Sequence, residues 1–106
     1  MTLPSPIRTY FDAQPPQDSD AFATAFCADA TVHDEGALHR GPAEIVAWWQ
    51  AAKAKYRHRA APLDIVEAGG RFLVRAWVTG DFPGSPAVLT FAFGLSGDRI
   101  QDLRIG

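Results

Sequence analysis

Near residue 57 the spacing of apolar side chains changes from helical to alternating, and that change constrains the fold more than any other feature. Upstream, apolar residues recur at intervals of three and four. Downstream they recur at every second position. A helical half joined to a strand half predicts an α+β domain, with helices packed on one face of a sheet. The chain has 106 residues, enough for a single domain over 1–106 and no second core.

Three helices are expected. Ser5-Pro6 reads as an N-cap followed by proline at the first helical position, with Ile7, Tyr10 and Phe11 on one face. Pro15-Pro16 stops that helix. A second starts near Asp18-Ser19 and carries Phe22, Ala25 and Phe26 at the same spacing. In the third, Gly41 caps, Pro42 starts and Glu44 places a negative charge in the first turn. Ile45, Trp48, Trp49, Ala52 and Tyr56 then share a face, read as core packing with one tryptophan free to line a cavity.

The alternating half divides at its turn residues. Arg57 to Glu67 reads as a strand in which Pro62 marks an edge or a bulge. Ala68-Gly69-Gly70 is a hairpin turn. From Arg71 to Thr79, Phe72, Val74, Ala76 and Val78 face one way, while Leu73, Arg75, Trp77 and Thr79 face the other. A loop from Gly80 to Pro86, a strand from Ala87 to Leu95, a turn at Ser96-Gly97-Asp98 and a last strand from Arg99 to Ile105 complete an antiparallel meander. Several strands are apolar on both faces, so the second face needs a cover, and a homodimer formed through the sheet supplies one.

Charge and cysteine usage exclude some partners. Net charge is −2 with no basic stripe, which argues against nucleic acid. Lys53, Lys55, Arg57 and Arg59 form the one basic cluster, read as solvated charges at a helix C-terminus. The single cysteine, Cys27, at the end of a helical pattern, reads as a structural thiol and fits a reducing compartment. No leader-like or membrane-length apolar run occurs, so a cytoplasmic protein without membrane contact is expected.

The chemistry-bearing residues cluster at His33-Asp34-Glu35, followed by His39 and Arg40. An acid on the inner face of a strand is costly to bury and is usually retained for chemistry. Alternation sends Asp34 one way and His33 and Glu35 the other, so the latter read as a hydrogen-bonded or solvated pair. No spacing matches a metal-ligand motif, although a turn at Gly36 could return His39 towards His33 or Glu35. No metal or cofactor is expected. His58 and Arg75 lie on strands that could face a pocket, with Arg75 read as stacked or ion-paired across a dimer.

Phe22 and Phe26, then Ala28-Asp29-Ala30-Thr31-Val32-His33-Asp34, then Arg40-Gly41 leading to Ile45 and Trp48, resemble the NTF2-like superfamily, and within it the SnoaL-like and ketosteroid-isomerase-like proteins. The resemblance spans nearly the whole chain. It implies a cone-shaped fold, with three N-terminal helices packed on a curved, mainly antiparallel sheet around an apolar pocket. In the isomerase pattern an Asp base, a Tyr donor and a protonated Asp donor share that pocket. Asp34 matches the base and Tyr10 the first donor, whereas Phe91 stands where the second donor belongs. The resemblance therefore implies cofactor-free acid/base chemistry on a small hydrophobic carbonyl compound, of isomerase, cyclase or dehydratase type, rather than steroid isomerisation. A ligand-binding or dimer-scaffold module without catalysis is the alternative. Trp48, Trp49 and His39 are the candidate pocket-lining residues.

Overall fold

A computed structural model describes residues 1–106. In chain order the elements are α1 (Ser5–Asp12), α2 (Ser19–Thr24), β1 (Phe26–Asp34), β2 (Ala37–Arg40), α3 (Gly41–Tyr56), β3 (Arg59–Ala68), β4 (Arg71–Thr79), β5 (Ala87–Ser96) and β6 (Arg99–Ile105). The strands form one six-stranded mixed sheet in the order β2-β1-β6-β5-β4-β3. The meander from β3 to β6 is antiparallel, as expected. β1 joins it in parallel alongside β6, which puts the last strand inside the sheet.

Each helix differs from its sequence reading at an end. Ser5 does not cap α1: the Pro4 carbonyl accepts the first helical bond, from the Arg8 N–H at 2.9 Å. Arg40 rather than Gly41 is the N-cap of α3, and its backbone N–H donates to Glu44 Oε1 at 2.9 Å. The largest correction concerns α2, which ends at Thr24, so that Phe26 and Cys27 belong to β1. There the Ile100 N–H donates to the Ala25 carbonyl at 2.8 Å, drawing the chain onto β6. Phe22 and Phe26 still touch, with ring centroids 5.2 Å apart, so the side-chain contact survives a change of backbone state.

Pro62 sits on β3, an edge strand, and the register against β4 shifts between Pro62 and Asp64. Both readings of that proline hold, since an edge bulge needs no N–H there. Gly69 and Gly70 have φ of 60° and 77°, the left-handed pair that a two-residue hairpin turn requires.

The helices cover one face of the sheet. Val74, Ala76, Val78, Phe93, Ile100 and Leu103 are buried beneath them, and no polar or charged side chain is buried in the core. Trp49 stacks on Phe22 with centroids 3.9 Å apart and planes within 5°. Such ring pairs add about 0.5–1.5 kcal/mol beyond area burial. On the opposite face Leu63, Val66, Trp77 and Val88 remain exposed. No helix is long and apolar enough to cross a membrane.

Candidate functional site

β1 ends at Asp34, and a tight turn through Glu35 and Gly36, both at positive φ, leads into β2. The short β2, unforeseen from sequence, pairs Val32 with His39, His33 with Leu38 and Asp34 with Ala37. His39 therefore shares a face with Val32 and Asp34 and does not return towards His33. Its ring lies 5.7 Å from that of Trp48. Glu35 leaves strand alternation at the turn, where its φ of 51° is uncommon for a side-chain-bearing residue.

That turn opens a cavity of about 320 Å³ between α3 and the inner face of the sheet. Tyr10, Asp34, Glu35, Trp48, Tyr56 and His58 supply its polar groups, and Ala52, Val78, Leu89, Phe91 and Ile105 its apolar walls. Phe82 and Pro83 close it from the loop after β4. Gly80 lets that loop approach: a Cβ there would lie 2.7 Å from the Tyr56 carbonyl oxygen. The Asp81 N–H donates to the same carbonyl at 2.6 Å, so the loop is pinned to the end of α3.

Trp48 Nε1 donates to Asp34 Oδ2 at 3.1 Å. Burial raises the Asp34 pKa; the indole bond opposes this, the Glu35 charge reinforces it and His39 opposes it. Burial, then the Asp34 charge, also pushes the Tyr10 hydroxyl above its ordinary range, so it stays protonated as a donor. Tyr10 is held by Phe11, Phe22, Phe91 and Phe93, whose ring centroids lie 5.1–5.9 Å away. A half-buried carboxylate of raised pKa and a neutral phenol in one apolar cavity can accept a proton and stabilise an oxyanion.

Several expectations need correcting. Trp49 packs in the core and lines a neighbouring cavity, not the one holding Asp34. His39 backs Trp48 and is not part of the wall. Glu35 does not pair with His33, because Tyr56 Oη donates to Glu35 Oε2 at 3.5 Å while His33 Nδ1 is buried without a partner. Arg75 turns away from the cavity and pairs with Asp64 on the adjacent strand of the same chain. No three His, Cys, Asp or Glu side chains converge as a metal site. Sequence reasoning missed Glu35 as a wall residue and Trp48 as a hydrogen-bond donor. The Glu35-Gly36 turn was the available signal for the former.

A second cavity, of about 200 Å³, shares Tyr10, His58 and Phe91 with the first and adds Phe11, Trp49 and Lys53 among its lining.

Comparison with known proteins bears on the fold and the family. The family model described as a SnoaL-like domain matches residues 7–105. A candidate polyketide cyclase from Sinorhizobium meliloti superposes with a TM-score of 0.91 at 45% identity, covering 98% of this chain and 95% of that one. A protein from Catenulispora acidiphila with a ketosteroid isomerase-like fold, solved with trimethylamine, gives a TM-score of 0.82 at 21% identity, over 99% of this chain and 86% of that one. A candidate isomerase of the SnoaL-like family from Agrobacterium tumefaciens gives 0.77 at 16%, over 95% and 92%. The last two identities speak for the fold alone. No curated protein matches the sequence.

Proposed function

The chain belongs to the SnoaL-like family, and from that premise we propose that it is a cofactor-independent acid/base catalyst acting on a small hydrophobic carbonyl compound. The observation that carries this reading is the cavity shared by Asp34 and Tyr10, whose walls are mostly apolar. Asp34 accepts a proton from the carbon next to the carbonyl, and the C–H electron pair moves into an enolate. The Tyr10 hydroxyl donates a hydrogen bond to the enolate oxygen. Return of the proton from Asp34 to another carbon gives isomerisation. In ring closure the enolate carbon attacks a second carbonyl, whose π pair becomes an alkoxide that takes the proton back from Asp34. The S. meliloti relative, a candidate polyketide cyclase, favours ring closure.

A second reading, ligand binding without turnover, draws on Phe91. It lines the cavity and, by the resemblance to the isomerase pattern, takes the place of the second oxyanion donor; such donors contribute several kcal/mol to catalysis, about 2.7–4 in one measured case. In either case we propose that the protein acts in the cytoplasm as a cone-shaped protomer. Its exposed Leu63, Val66, Trp77 and Val88 would be covered by a second copy through the sheet.

The test is solvent exchange. Hydrophobic methyl ketones incubated with the protein in D2O are expected to lose α-proton signal in NMR faster than without it. Asp34→Asn should slow that exchange by about 10²–10⁴-fold. Undiminished exchange in the variant removes the proposal. Ketones that bind without exchanging support the second reading.

A further inference from the structure

The second cavity differs in charge from the first. Lys53, His58 and Arg59 line it, and Arg57 joins them in a wider groove that shares Lys53, His58 and Arg59 with it. Neither lining contains an Asp or Glu. The ion pairs of the chain are Arg71–Asp102 and Arg75–Asp64, so these cations have no carboxylate partner. Lys53 Nζ donates to the His58 carbonyl at 3.1 Å, which leaves two of its three N–H groups free. The carbonyls ending α3 offset only about half a unit of charge, against three cations.

The groove lies at the end of α3, where Arg57 takes the left-handed C-cap conformation (φ 49°) and its N–H donates to the Lys53 carbonyl at 2.9 Å. One further observation points the same way. Burial, then the Arg59 charge, lowers the Lys53 pKa, a stress that a bound anion would relieve. His58 is held down to about 4 by burial and then by Lys53, so at neutral pH it adds no charge.

We propose that the Lys53 cavity and its groove bind the carboxylate of a hydrophobic keto acid, with Lys53, Arg57 and Arg59 as counter-ions and the ketone directed to Tyr10 on the wall that both cavities share. The inference rests on the reading of Asp34 and Tyr10 given above and adds the anionic end of the substrate. Tyr10, Phe11, Trp49 and Phe91 supply aromatic surface for the body of such a molecule.

Calorimetry with 5-oxo-5-phenylpentanoate and its methyl ester tests it. Wild type is expected to bind the acid about tenfold tighter than the ester, the scale of one charge-assisted hydrogen bond. Combined Lys53→Met, Arg57→Gln and Arg59→Gln should bring the two compounds level, and Lys53→Arg should keep the preference. If the triple variant melts early, Arg57→Gln alone, at an exposed position, should weaken the acid and not the ester. Asp34→Asn should retain the preference for the acid. If that variant also exchanges normally, the base assignment fails while this subsite stands. Equal affinities in wild type, a preference that survives the triple variant, or binding of neither compound would overturn the proposal. So would inorganic phosphate binding as tightly as the acid, because the site would then read charge alone.

Discussion

The two faces of the sheet treat the same functional group in opposite ways. On the outer face Asp64 and Asp102 each meet an arginine: Arg75 forks onto Asp64, and Arg71 donates to Asp102 Oδ1 and Oδ2 at 3.0 and 2.6 Å. On the inner side Asp34 has one neutral side-chain donor, the Trp48 indole. Arginine lowers the Asp64 pKa, whereas burial raises that of Asp34. An acid used as scaffold is given a permanent counter-charge. An acid left with an indole keeps its affinity for a proton, and that difference separates a structural from a reactive carboxylate.

The strongest way to break the outer arrangement is to fill the space beneath it. Arg71, Gly94 and Asp102 stand side by side on three adjacent strands. A Cβ at residue 94 would lie 2.1 Å from Asp102 Oδ1. The methyl group of Gly94→Ala is expected to push the Asp102 carboxylate off Arg71, a side-chain shift that costs up to about 1 kcal/mol for a pair this exposed, measured by chemical denaturation.

The inner acid should respond with the opposite sign. A folded-state pKa raised above the ordinary 3.8 means that the folded chain holds the proton more tightly than the unfolded one. The stability this gives is fully present below pH 3.8 and is lost as pH rises through the folded value. Asp34→Asn should therefore melt at a higher temperature than wild type at neutral pH, with the gap closing on acidification. Melting curves from pH 3 to 8 check this, and a lower melting temperature at pH 7 would contradict the contrast between the faces. The lowered Asp64 pKa gives stability above pH 3.8 that is lost on acidification through its folded value.

The smallest effect belongs to the exposed pair. Arg75 and Asp64 have side chains 59% and 39% accessible, so solvent screens their attraction. Arg75→Ala is expected to leave the melting temperature unchanged within error, and a clear drop would assign the outer face a larger share of stability.

What the sequence disclosed divides along local and non-local lines. Alternation from Phe72 to Val78 and the Gly69-Gly70 turn are local signals, and both were readable. The parallel pairing of β1 with β6 joins residues such as Val32 and Leu103, and no local pattern records it. Phe26 illustrates the conflict: its spacing from Phe22 suits a helix, but a bond from Ile100 makes it a strand residue. At the site, the common location of Asp34 and Tyr10 was legible through resemblance. The indole bond from Trp48 was not, since helical periodicity alone could not tell which tryptophan leaves the core. The basic cluster was visible as composition, but its place beside Tyr10 depends on where α3 ends.

The bridge over Gly94 also bears on how the strands find their alignment. β4 and β6 are not neighbours, and at about 4.8 Å per strand spacing the Arg71–Asp102 pair must reach across roughly 10 Å. It can close only where the intervening strand presents no side chain. A slip of β5 by two residues would keep every side chain on its proper face yet bring Ala92 or Ser96 under the arginine. The empty position thus works as a keyhole, rejecting a misalignment that hydrophobic pattern alone would accept.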